Sequence, residues 1–297
     1  MLCRSPDDLD VAPKDLPPLP RPNRVVLTTP THFDIEYVIN PHMSDNVGAV
    51  TREVAWQQWK ALRAAYTALD CAPALVDGRP GLPDMVFCAN QTLPFYTPRT
   101  NTRGVVLSRM HRPERAGEVP HYARFFEDRG YAVKSLPEDL DADFEGMGDA
   151  LWHPGRRLLW GGYGYRTSPE AYDALSDLLD VPILLLHLTD PDYYHLDTCL
   201  CPLDADHALV APKAFDDAGR ALIDTLFDTP IEVPDREARH QFACNAHCPD
   251  GTHVLIQEGC ETTTKRLRAH DFVPVEIDTS EFMKAGGSVF CMKQMVW

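Results

Sequence analysis

The stretch Arg157-Leu158-Leu159-Trp160-Gly161-Gly162-Tyr163-Gly164-Tyr165-Arg166-Thr167-Ser168-Pro169-Glu170 decides between the two α/β architectures open to this chain. An apolar run leads into glycines, as in a dinucleotide-binding fingerprint. That fingerprint needs the glycine turn to open a helix directly, so that helix N–H groups meet a pyrophosphate. Here Arg166 intervenes, and the helix signal begins only at Ser168-Pro169-Glu170, a capping residue followed by proline. A doubly wound nucleotide-binding sheet is set aside. Outward from this stretch, strand and helix signals alternate. Trp56, Trp59, Leu62, Tyr66 and Leu69 recur at spacings of three and four, which predicts a helix over 52–69. Further helices are expected over 119–129, stopping at Gly130, from Ser168, over 215–227 and over 260–270. Short apolar runs at 25–27, 85–87, 105–107, 157–160, 181–186, 208–210, 254–256, 272–277 and 289–292 read as strands. Five helices between strand groups, at a period of about 40 to 60 residues, predict a repeated β/α unit without a repeated motif.

The 297 residues hold 28 Lys+Arg against 44 Asp+Glu, a formal charge of −16. Nucleic acids and anionic membranes are held by basic surfaces, so neither is an expected partner, whereas a cationic small molecule is attracted. The longest aliphatic run, 181–186, is interrupted by His187 and falls far short of the roughly 20 residues that span a bilayer. With no apolar leader at the start, a soluble cytoplasmic protein is expected. Residues 1–24 carry six prolines and four aspartates without apolar periodicity and read as an extended arm. Nine cysteines, an odd number, read as thiols. Cys244, His247, Cys248 and His253 have a metal-like composition but lack two separated pairs, so they read as a buried turn and no metal is expected.

Five words carry chemistry: PDMVFCAN (83–90), HRPERAGE (111–118), FEGMGD (144–149), YHLDTCLCPL (194–203) and EFMKAGGSVFC (281–291). Most set a polar or nucleophilic residue beside a strand or glycine turn, where scaffolds present catalytic groups. A cysteine, a histidine and a carboxylate are the parts of a covalent-catalysis set.

In that order, from about residue 25 to the C-terminus, these words resemble the guanidine-group-modifying superfamily, which includes arginine deiminase, dimethylarginine dimethylaminohydrolase and the amidinotransferases. Within it they are most similar to the arginine dihydrolase type. The resemblance implies one catalytic domain over 25–297, a five-bladed α/β propeller of ββαβ units about a pseudo-fivefold axis. It implies Cys291 as nucleophile, His195 as general acid/base and Glu145 as the carboxylate that aligns the site. Asp84 and Asp197 fall where the family sets carboxylates against the guanidinium, Arg115 and Arg166 where it holds the α-carboxylate, and Asn40 where it lines the pocket. Asn90 stands where deiminases and dimethylaminohydrolases usually carry aspartate. A neutral amide there suits a neutral ureido group, which favours a second hydrolysis. Gln91-Thr92 departs from the family's small residues and is expected to reshape the pocket. The implied activity is cofactor-free hydrolysis of arginine to ornithine, carbon dioxide and two ammonia. A deiminase or dimethylaminohydrolase giving citrulline is the alternative, and a non-catalytic binder of cationic amino acids the second.

Overall fold

A computed structural model describes residues 1–9, 12 and 15–297. The first part of the chain gives β1 (Leu2–Cys3), β2 (Arg24–Thr28), α1 (Arg52–Ala68), β3 (Ala72–Val76), β4 (Thr92–Thr97), β5 (Thr102–Leu107), α2 (Pro113–Ala116), α3 (Val119–Glu127) and β6 (Ala132–Lys134). The middle gives β7 (Ala150–Trp152), β8 (Leu159–Tyr163), α4 (Glu170–Leu179), β9 (Ile183–His187), β10 (Leu200–Pro202), β11 (His207–Val210), α5 (Asp217–Leu226) and β12 (Thr229–Glu232). The last part gives α6 (Asp235–Gln241), β13 (His253–Gln257), α7 (Glu261–Ala269), β14 (Val273–Ile277), α8 (Ser280–Met283) and β15 (Gln294–Val296).

One path recurs through this mixed α/β fold. An antiparallel pair is followed by a helix and then by a strand that returns parallel: β4-β5-α3-β6, β7-β8-α4-β9 and β10-β11-α5-β12. The chain's two ends complete a fourth such unit, because β15 lies antiparallel to β2 while β3 returns parallel to β2 after α1. In the fifth, β13 and β14 are parallel and the antiparallel partner shrinks to one bridge, His247 with Leu255. Each unit cannot bury its own apolar face alone, so neighbours share a core.

Local chemistry explains the elements. In α1 the three-and-four spacing puts Trp59, Leu62 and Tyr66 in the core, while Trp56 and Leu69 reach only its margin. Asp216 caps α5 by accepting from Gly219 N at 2.8 Å, and Gly130, at φ 73, ends the turn after α3. Two expected strands are absent. Residues 85–87 belong to the 3₁₀ turn Pro83–Val86, closed by Phe87 N donating to Asp84 O, and 289–292 form a buried turn that precedes β15. A short buried apolar run reads alike as strand or turn. The run at 157–160 becomes a strand only from Leu159. Within residues 1–24, β1 pairs parallel to β9, and Leu19 is buried. Among the described residues no helix is long and apolar enough to cross a membrane.

Candidate active site

The segments that enter the first strand of each unit converge. The turn Pro83–Val86 carries Asp84 and leads through Asn90 to β4; Glu145 precedes the turn Gly146–Gly148 and β7. His195 precedes the turn Leu196–Thr198, which holds Asp197 before β10, and Cys291 arrives just ahead of β15. Asn40, Asp84, Asn90, Arg115, Arg166 and Cys291 line one small pocket.

Cys291 is buried, and its Sγ donates to Asp197 Oδ2 at 3.2 Å. Asn245 holds the same loop: its Oδ1 accepts from Ser288 N and Cys291 N, while its Nδ2 donates to Cys291 Sγ at 3.1 Å and to Asp197 O. Burial, then the Asp197 charge, push the thiol well above its ordinary value. Burial also raises Asp197 to about 7, against the opposing thiol hydrogen bond and Lys293. The resting pair therefore keeps its proton, and a cation entering beside it favours the thiolate.

Glu145 organises the second side. His195 Nε2 lies 2.7 Å from its Oε2, Arg166 Nη1 lies 3.2 Å from the same oxygen, and His111 N donates to Oε1. Burial alone would raise this carboxyl, but the His195 hydrogen bond and charge, followed by Arg166 and Arg115, bring it down to about 2. Glu145 thus stays ionised and fixes both the imidazole and the guanidinium. Arg166 Nη2 also donates to Ile39 O, and its guanidinium lies over the Tyr194 ring at 5.0 Å. Among the described residues no hydrogen bond joins His195 directly to Cys291.

The third side is cationic and anionic at once. Arg115 forks onto Glu118, donates to Asn90 Oδ1 at 2.9 Å and reaches the carbonyls of Asp84 and Phe87. Among the described residues neither carboxylate oxygen of Asp84, 1% exposed, is within hydrogen-bond distance of a donor, although the Tyr37 hydroxyl is near enough to help lower its pKa; Asp197 Oδ1 and Asn90 Nδ2 are likewise unpartnered. Burial raises the Asp84 carboxyl, with Arg115 opposing it. Buried carboxylates without partners are costly, and a cation with several N–H groups satisfies them together.

Six of the nine expected site residues line this pocket, and Asp197, Glu145 and His195 are hydrogen-bonded to them in sequence; Asn40 donates from Nδ2 to Ala285 O. The structure adds three that the sequence reading missed. Asn245 was hidden in the cysteine-rich turn, Glu118 orients Arg115, and Asp149 accepts from Leu196 N beside His195. The Gln91-Thr92 expectation is corrected. The Gln91 amide turns to Glu118 and Phe87 O, Thr92 meets Gln294, and neither lines the pocket. Gly286, at φ 89, leaves room for Asn40 and Tyr194, so its lack of a side chain serves protein packing. Among the described residues no cluster of three His, Cys, Asp or Glu is placed to hold a metal.

Residues 21–296 match the eukaryotic N,N dimethylarginine dimethylhydrolase family. The bifunctional arginine dihydrolase/ornithine cyclodeaminase ArgZ of Synechocystis is 38% identical over 91% of this chain, which spans only 37% of that relative's length. The N(G),N(G)-dimethylarginine dimethylaminohydrolase of Mycobacterium tuberculosis is 37% identical over 92% of this chain and 85% of its own. Among solved structures, an asparagine-to-serine variant of the N-terminal domain of ArgZ, covalently bound to a reaction intermediate, superposes with a TM-score of 0.85 at 36% identity. That match covers 92% of this chain and 97% of the other. The chain belongs to the N,N-dimethylarginine dimethylhydrolase family of guanidine-modifying proteins.

Proposed function

We propose that this protein hydrolyses the guanidinium group of arginine twice, giving ornithine, carbon dioxide and two ammonia. The observation that carries this reading is the pair of unpartnered Asp84 carboxylate oxygens in the pocket that Cys291 also lines. Together with Asp197 they form an anionic seat for a planar cation beside a nucleophile. Cys291, its thiolate favoured by that cation, attacks the guanidinium carbon, and His195 protonates the departing ammonia. The thiouronium so formed is hydrolysed by water that His195 deprotonates, with Glu145 holding the ring. Asn90 offers a free amide N–H to a neutral ureido oxygen, which supports citrulline remaining for the second cut. Arg166, whose Nε is uncommitted among the described residues, and Arg115 receive the α-carboxylate, and Asn40 closes the pocket.

The family match and the Mycobacterium relative favour a second reading, a single cut of methylated arginine to citrulline. A substrate panel separates them. Arginine should have the highest kcat/KM, and agmatine, which lacks the α-carboxylate, should fall about a hundredfold or more, since a charged hydrogen bond contributes about 1.5–3 kcal/mol. Preference for dimethylarginine would support the second reading, and efficient agmatine turnover would remove both arginines from their role.

In this reading the five units close as blades about a pseudo-fivefold axis, with the site at its centre. Residues 25–297 form the catalytic domain, and the described residues before it, 1–9, 12 and 15–24, an arm laid against it. The partner is a small molecule, with no cofactor, nucleic acid or membrane. The lack of a disulfide among the described cysteines supports a reducing cytoplasm as the setting.

A further inference from the structure

The loop that carries Cys291 walls two spaces. Gly287 and Cys291 line the catalytic pocket, while Phe290 and Lys293 line a separate cleft of about 90 Å³. Lys293 is fully buried, and among the described residues its Nζ has no hydrogen-bond partner. Its Nζ lies over the face of Phe290, whose ring centroid is 3.2 Å away, a contact that accepts charge but leaves the ammonium's directional donors unused, and the charges of Asp197 and of nearby cysteines also act on it. Burial brings this amine down to about 7. Beyond its charge opposing the rise of Asp197, the proposed chemistry gives it no task.

The rest of the cleft has a consistent character. Trp152 and Trp297 meet edge to face at 6.0 Å, and Trp297 is pinned by Nε1 donating to Pro20 O. Arg21, held by the carbonyls of Leu203 and Cys248, and His247 complete one wall. Among the described residues no Asp or Glu side chain lines the cleft, although the chain as a whole carries −16. A cationic end with free donors and an aromatic body describe a receptor for an organic anion. Inorganic anions gain nothing from the tryptophans.

We propose that this cleft binds a small monocarboxylate, whose oxygens accept from Lys293 Nζ while its carbon chain lies against Trp152 and Trp297. A cavity of about 150 Å³ admits benzene, so the smaller space here fits a chain of about three or four carbons. The site is distinct from the catalytic pocket and does not depend on which guanidino compound is hydrolysed.

The test is titration of the full chain with butyrate, read by tryptophan fluorescence, because tryptophans line the cleft and none lines the catalytic pocket. Saturable binding is expected, weakened about tenfold or more in Lys293→Met, which keeps the length of the side chain and removes its donors. On the unmodified chain butyramide, the neutral counterpart, should bind about tenfold more weakly than butyrate, a comparison that holds even if the variant fails to fold. Absence of saturable binding, equal affinity for butyramide, undiminished binding by a folded Lys293→Met, or phosphate binding as tightly as butyrate would each overturn the proposal.

Discussion

Cys291 Sγ donates to Asp197 Oδ2 across 3.2 Å, so the proposed nucleophile rests as a thiol on a carboxylate whose other oxygen has no partner among the described residues. Burial and that carboxylate hold it above the ordinary 9, so alkylation of Cys291 in the free protein should accelerate only above that pH. An inflection near neutrality would mean that the resting protein already holds a thiolate. Cys291→Ser should abolish turnover and leave arginine binding measurable by calorimetry.

Asp84 trades stability for binding. Its carboxylate has no partner and its pKa is raised above 3.8, so the folded state holds the proton more tightly than the unfolded state. Stability from this group is complete below 3.8 and is lost as pH rises through the folded value. Asp84→Asn should therefore stabilise the substrate-free protein towards neutral pH by about 1–3 kcal/mol in urea unfolding, with the gain vanishing in acid. The same variant should lose arginine binding. A destabilised Asp84→Asn would show that the carboxylate is satisfied in solution.

Asn245 supports the nucleophile from behind. Asn245→Ala would strand the buried N–H groups of Ser288 and Cys291 and remove the donor to Sγ. At about 1–3 kcal/mol for each stranded group, a loss of about 2–5 kcal/mol is expected by chemical denaturation. kcat should fall more than tenfold in the protein that remains folded. Unchanged stability and kcat would remove Asn245 from this role.

That residue also marks how far the sequence could be read. The helices over 52–69 and 119–129 were legible because their apolar spacing is a local signal, and the motif words led to seven residues that meet in space, with Asn40 and Arg166 added by the resemblance. The turns at Asp84 and Cys291 were not legible as turns, because Met85, Val86, Val289 and Met292 are buried for reasons of tertiary packing, which alternation along the chain does not encode. Asn245 had a signal. His195 lies 50 residues after Glu145, and Asn245 lies a further 245 − 195 = 50 residues on, each at the entry to its unit's first strand. The repeat's register would have found it where composition gave only a buried cysteine-rich turn. Glu118 and Lys293 had none, since what distinguishes them is the presence or absence of a partner across the fold.

In the proposed double hydrolysis, Asn90 sets the number of cuts. Asn90→Asp places a carboxylate against Arg115 and within reach of the bound group, so cationic arginine gains over neutral citrulline by about 1.5–3 kcal/mol. The variant should release citrulline from arginine, as read by mass spectrometry. Continued release of ornithine alone would show that the amide does not retain the intermediate product.

The most direct measurement is the product balance of the unmodified protein with arginine. Ornithine and ammonium should appear in a ratio near one to two, with no free citrulline, since two hydrolyses each release one ammonia. Citrulline with a single ammonium would contradict the double hydrolysis while leaving the Cys291, His195 and Glu145 chemistry in place, and no turnover of any guanidino compound would contradict the enzymatic account itself.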